Sequence, residues 1–117
     1  MSIEISGVED HLVTVRVTKT LTKAELARAH GVALDAIGTH GTIRILVITT
    51  EFLGWSRDDD WSDVSFPSTQ DRHIQKIAVV GDKRWEDEAL AFLGKGFRPV
   101  AIEYFLDLGK ARAWLRQ

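Results

Sequence analysis

At 117 residues, 44% of them hydrophobic, the chain has enough apolar surface to close one core and too little for two, so a single domain over residues 1–117 is expected. A formal net charge of -2, with no run among the 15 Lys and Arg, gives no general attraction for phosphate backbones, which argues against nucleic acid as a partner. The absence of cysteine excludes a disulfide framework, a thiolate metal site and a Cys nucleophile.

Ile3 to Ser6 and His11 to Thr18 read as two strands joined by a turn at Gly7-Val8-Glu9-Asp10. In the second, Val13, Val15 and Val17 alternate with Thr14, Arg16 and Thr18, the period of a strand with one buried face, so an antiparallel hairpin should open the chain. Thr22-Lys23-Ala24-Glu25 matches a capping box, in which Thr and Glu side chains satisfy each other's orphan amides, and predicts a helix from about Lys23. Leu26, His30, Leu34 and Ile37 keep helical spacing on one face, and Gly38 or Gly41 can supply the left-handed cap. Ile43 to Thr50 is nearly continuous apolar sequence and reads as a central strand. Beyond it, Asp58, Asp59 and Asp60 suit the first turn of a helix with Trp61 and Val64 inward, interrupted at Pro67.

Residues 75–80 form a second buried run that breaks at Gly81, where glycine permits a sharp exit. Asp82 is placed to cap the helix that follows, with Trp85, Ala89, Phe92 and Leu93 on its inner face and Gly94 at its end. Val100 to Phe105 is the last strand, and Asp107 caps a helix with Leu108, Ala111, Trp114 and Leu115 inward. The order ββαβαβαβα predicts an α/β fold: a mixed, mostly parallel sheet with an N-terminal antiparallel hairpin and flanking helices. Uninterrupted apolar runs reach only about four residues, against the roughly 20 needed to span a bilayer, so no transmembrane segment is expected. No basic segment followed by an apolar stretch marks a secretory signal near Met1, and a soluble, cytoplasmic protein is expected.

Three pieces of sequence carry a family resemblance: Phe52-Leu53-Gly54-Trp55 after the central strand, Lys76-Ile77-Ala78-Val79-Val80-Gly81-Asp82-Lys83-Arg84-Trp85, and Glu103-Tyr104-Phe105 with Ala113-Trp114-Leu115. In order and spacing they resemble the SpoIIAA-like family of bacterial proteins, related to STAS domains and often named STAS/SEC14-like. The resemblance implies a STAS or CRAL-TRIO type of fold and a protein-interaction module, with self-association as a homodimer or a protein partner. Its SEC14 side implies an apolar ligand. Anti-anti-sigma factors of the STAS type are switched by phosphorylation of a Ser in an Asp-Ser-Ser-Gly-like motif after the central strand. Here the stretch Thr49-Thr50-Glu51-Phe52-Leu53-Gly54-Trp55-Ser56 departs from that motif.

Ligands of open α/β sheets collect outside the carboxyl ends of the parallel strands. Thr50, Glu51, Phe52, Trp55, Ser56, Trp61, Asp82 and Tyr104 are therefore the candidate ligand- or partner-binding residues, whereas Trp85 and Trp114 read as packing anchors. Gly81-Asp82 before a helix could hold a phosphate, but the Asp82 carboxylate occupies the free amides itself and a single Gly is too few for a phosphate loop. Asp58 to Asp60 with Glu51 is better explained by the helix dipole than by a hard cation. Gly54-Trp55-Ser56-Arg57-Asp58 lacks the last glycine of a nucleophile elbow, and the histidines have no ligand spacing, His30 reading as a core or interface residue with a hydrogen-bond partner. Neither catalytic residues, metal nor cofactor are expected. The expected function is a non-catalytic binding or regulatory module working through protein contacts, or alternatively a carrier of a small apolar or lipid-like ligand held between sheet and helix.

Overall fold

The computed structural model describes residues 3–9, 11–55, 73–93 and 100–117, with backbone alone for 6–9 and 92–93. Their order is β1 (Ile3–Glu9), β2 (Leu12–Leu21), α1 (Lys23–His40), β3 (Ile43–Trp55), β4 (Ile74–Gly81), a single 3-10 turn (Lys83–Trp85), α2 (Glu86–Leu93), β5 (Ala101–Phe105) and α3 (Leu108–Arg116). The strands form one five-stranded sheet in the order β1-β2-β3-β4-β5. β1 is antiparallel to β2, and the remaining neighbours are parallel. This is the mixed α/β sheet expected, while the helix anticipated near Asp58 lies outside the described residues.

The hairpin is longer than its sequence suggests. Gly7 does not turn the chain: it is taken up in a register shift after Ile5, and pairing continues to Glu9 opposite Leu12. A residue without a side chain suits such a bulge as well as a turn. The reversal instead uses His11, whose φ of 67 is in the left-handed region. The His11 carbonyl accepts from Arg44 N at 2.8 Å and its Nδ1 lies 3.0 Å from the Thr42 carbonyl, tying the hairpin end to the start of β3.

In α1, Thr22 is the N-cap and accepts from Glu25 N at 3.3 Å, as the capping box predicts. The Glu25 carboxylate, however, accepts from Ile3 N at 2.7 Å, and Arg28 donates to Ile3 O at 2.8 Å. The helix thus clamps both backbone groups of the first described residue of the edge strand. Gly41, at φ 85, closes the helix by donating to Ile37 O. The inner face is rotated from the expected one: Ala33, Ala36 and Ile37 are buried and Leu34 is exposed. The face that α1 turns to the valines of β2 therefore carries small residues, Ala29 and Ala33.

The sheet separates two apolar clusters. On one side Val13, Val15, Val17, Ile45, Ile77 and Val79 pack beneath α1, with Trp85 and Leu90 of the 3-10 turn and α2. On the other, Leu46, Ala78 and Val80 meet Ala111, Leu115 and the half-buried Trp114 of α3. Asp107 caps α3 through Gly109 N at 3.2 Å, but Leu108, expected inward, is exposed. Lys76 Nζ donates to Trp114 O at 2.8 Å and lies 4.8 Å from the centre of its ring, fastening the C-terminal helix to β4. No helix among the described residues is long and apolar enough to cross a membrane.

Candidate functional site: an apolar cavity beneath the first helix

β4 ends at Gly81, and β3 runs on as far as Trp55. Residues of β3 that reach the α1 side of the sheet are Ile45, Val47 and Thr49, then Phe52 and Trp55. The interval changes from two residues to three at Thr49 and again at Phe52, where the pairing with β2 loses register. A regular strand would send Glu51 and Leu53 to that side. The bulges exclude them: Thr50, Glu51 and Leu53 are exposed, whereas Phe52 is buried. On β2 the matching irregularity falls at Lys19, whose φ is 56.

The result is an aromatic corner. Phe52 packs against Trp55 at 5.0 Å between ring centres and against Trp85 at 5.2 Å, and the two indoles meet edge to face at 5.9 Å. These geometries are the favoured ones for aromatic quadrupoles. Gly54, at φ 119, lets the chain pass beneath Trp85: a β-carbon there would stand 3.3 Å from Cη2 of the indole. Trp85 is held from its own side by the cap, because Asp82 accepts from Arg84 N at 3.1 Å and its carbonyl accepts from Trp85 N at 3.1 Å. The Arg84 guanidinium lies 5.0 Å from the Trp85 ring centre.

Between this corner, α1 and the sheet lies a partly open cavity of about 150 Å³. Its floor is Val13, Val15, Val17, Ile45, Val47, Ile77 and Val79, its roof Leu26, Ala29, His30 and Ala33, and its end wall Phe52, Trp55 and Trp85. Among the lining side chains few carry a polar atom: Thr49, His30 and the indoles of Trp55 and Trp85, whose nitrogens are themselves buried. Thr49 is already engaged, its buried hydroxyl donating to Val80 O at 2.9 Å. Trp85 Nε1 is buried and finds no acceptor among the described residues.

The candidate residues of the sequence are thus divided. Phe52 and Trp55 line the cavity. Thr50 and Glu51 are exposed, Glu51 pairing with Arg16 at 3.8 Å in a solvated contact of little energetic weight. Asp82 and Tyr104 come together outside the cavity, where the Tyr104 hydroxyl donates to Asp82 O at 2.7 Å. Burial raises the Tyr104 pKa above the ordinary 10.0; a hydrogen bond with Thr49 opposes this, and the charges of Asp82 and Glu86 add to it. Ser56 and Trp61 lie outside the described residues, as do Asp58, Asp59 and Asp60. Trp55, expected in a loop, ends a strand, and Trp85, expected only to pack, walls the cavity. The valines of β2 and the alanines of α1 carry no chemical signature by which sequence could have marked them as a lining. The strand order of the described sheet never reverses and so provides no topological switch point at this rim.

Comparison with known proteins agrees with this architecture. A family model described as SpoIIAA-like matches residues 12–116. The crystal structure of an uncharacterized protein of the DUF3478 family from Shewanella loihica PV-4, described as having a SpoIIAA-like fold, superposes with a TM-score of 0.71 at 22% identity. The match covers 97% of this chain and 91% of that one, and at this identity it speaks for the fold alone. No curated protein matches the chain.

Proposed function

Since the chain belongs to the SpoIIAA-like family, whose fold is generally that of a regulatory or binding module, we propose that it is a non-catalytic binding module whose ligand is a small apolar molecule held under α1. The observation that supports this reading is the cavity of about 150 Å³ with its nearly all-apolar wall. Apolar pockets carrying a few polar groups are the usual form of small-ligand sites. Cavities of about this size walled by Leu, Ile and Phe stay dry and admit benzene-sized molecules. Native mass spectrometry of gently purified protein should show a one-to-one adduct with such a molecule, and binding should change the fluorescence of Trp55 and Trp85. Protein that retains no apolar mass and whose fluorescence is indifferent to added benzene derivatives would overturn the reading.

Protein contact is a second reading, supported by Leu53 and Leu106, which are 64% and 63% exposed near the carboxyl ends of β3 and β5. A partner or a second copy of the chain would cover these side chains, and the cytoplasm is the compartment proposed. Sedimentation of wild type against a Leu53→Lys, Leu106→Lys variant tests the self-association arm. A wild type that stays monomeric at high concentration removes it.

A further inference from the structure

β1 is an edge of the described sheet, and a strand edge carries a row of N–H and C=O groups on which another strand can pair. In an antiparallel pair each residue turns both groups to one side, and alternate residues turn them outward. The Ile3 amide donates to Glu25 Oε2 at 2.7 Å and its carbonyl accepts from Arg28 Nη2 at 2.8 Å, so Ile3 is an outward residue. Ile5, two residues on and opposite Val15, presents its backbone the same way, ahead of the register shift that follows it. Glu25 and Arg28 stand three residues apart on α1, on one face, and each carries the charge that strengthens its bond: a carboxylate on the N–H, a guanidinium on the C=O.

We infer that Glu25 and Arg28 form an autoinhibitory clamp that closes the edge of β1 against antiparallel pairing with β1 of a second copy of this chain. A brace between helix and strand needs only one bond. Occupying both groups of one residue leaves nothing at Ile3 for a partner strand, which would have to displace two charge-assisted bonds and then meet a carboxylate and a guanidinium at the edge. A second copy is the occupant excluded, because antiparallel pairing of one edge with itself is isologous and closes about a two-fold axis. The strand does not depend on the clamp for its place: the Ile3 side chain is buried, and β1 is paired with β2 along its length. Cutting the clamp therefore opens the edge and keeps the strand. This inference is independent of the cavity being a ligand site.

Sedimentation equilibrium tests it in the Leu53→Lys, Leu106→Lys background, where association through those two leucines does not contribute. The parent is compared with the same protein carrying Glu25→Ala and Arg28→Ala, substitutions that favour the helix. The clamp-free protein should dimerise with a dissociation constant at least roughly tenfold lower than the parent's, the worth of one or two backbone hydrogen bonds. Each single alanine frees one group of Ile3 and should have a smaller effect. Amide hydrogen exchange should slow at Ile5 in the dimer and stay unchanged at Glu4, which faces Arg16 of β2. A clamp-free protein that keeps its circular dichroism and sediments as its parent does overturns the proposal, as does dimerisation that leaves exchange at Ile5 unaltered. Should the double alanine fail to fold, Arg28→Ala alone decides by the same two readouts.

Discussion

Substitution of Gly81 by Ala tests the packing at the exit of β4. A β-carbon at this position collides with Thr49 Oγ1 and stands 2.7 Å from the Tyr104 hydroxyl oxygen. Gly81 is not among the positive-φ residues, so its backbone accepts alanine and the cost is steric. Neither neighbour yields cheaply. Thr49 is buried with its hydroxyl on Val80 O at 2.9 Å, and Tyr104 is bound to Asp82 O at 2.7 Å. Turning Thr49 away strands a buried carbonyl at about 1–3 kcal/mol, and overpacking adds about 1–3 kcal/mol. The less flexible unfolded chain returns about 0.4–1 kcal/mol. A net loss of roughly 2–4 kcal/mol is expected, which for a domain of this size lowers Tm by roughly 8–16 °C. Urea unfolding followed by circular dichroism measures it, with the m-value unchanged. Because the obstacle is Oγ1, Thr49→Ala in the Gly81→Ala background should produce a variant no less stable than the single one. Thr49→Val, which keeps a γ-atom in place, should not relieve it. A Gly81→Ala protein within about 0.5 kcal/mol of wild type, or additive effects of the two alanines, would refute the reasoning.

Gly54→Ala combines a φ of 119 with a 3.3 Å approach to Trp85. It should cost about 1–3 kcal/mol in urea and shift tryptophan emission, since the aromatic corner must open. Tyr104 gives a pH prediction whose sign follows from its raised pKa. Below pH 10.0 both native and unfolded chains keep the phenolic proton and the contribution is fully present; above it the unfolded chain loses the proton first, so stability falls with rising pH. The chain has 1 tyrosine, so absorbance titration of the phenolate reads this group directly. A native midpoint at or below 10.0, or a Tyr104→Phe variant with the same alkaline decline in stability, would contradict the assignment.

Sequence was a good guide to elements and a poor one to their precise aim. Val13, Val15 and Val17 revealed a one-sided strand, and Thr22, Asp82 and Asp107 marked helix starts, because alternation and capping are local effects. Gly81 was legible as an exit but for the wrong reason: the position needs the absence of a β-carbon against Thr49, not an unusual φ. The Glu25 carboxylate, read as closing a local box, reaches the amide of Ile3, a partner that only the folded sheet brings within 2.7 Å. The cavity was harder still. It depends on two register breaks between β2 and β3 that turn Phe52 and Trp55 inward, and on Trp85 arriving from the turn that follows β4. A period-2 reading of Thr49 to Trp55 puts Glu51 inside, and no local rule warns otherwise. The candidates Thr50 and Glu51 are accordingly exposed, apart from the cavity that Phe52 and Trp55 line.

The same geometry explains why the space is not simply packed shut, and it gives the last prediction. Bulky Phe52, Trp55 and Trp85 stand at one end of the cavity, whereas α1 presents Ala29 and Ala33 to the valine floor. At ~24 cal/mol per Å³, a void of about 150 Å³ costs roughly 3–4 kcal/mol, a substantial share of a domain's stability, less whatever its opening to solvent relieves. Ala33 is buried at mid-helix, where leucine is nearly as good a helix former, so Ala33→Leu should extend into the void rather than break the element. At ~0.8 kcal/mol for each buried methylene-sized group, it should gain about 1–2 kcal/mol after rotamer entropy is subtracted. If the void serves ligand binding, the same substitution should abolish uptake of benzene derivatives, a stability gained at the expense of function. Urea unfolding and calorimetry on one preparation test both halves. A leucine variant that is less stable shows that the void is not free for a side chain, and one that binds ethylbenzene as wild type does places the ligand elsewhere.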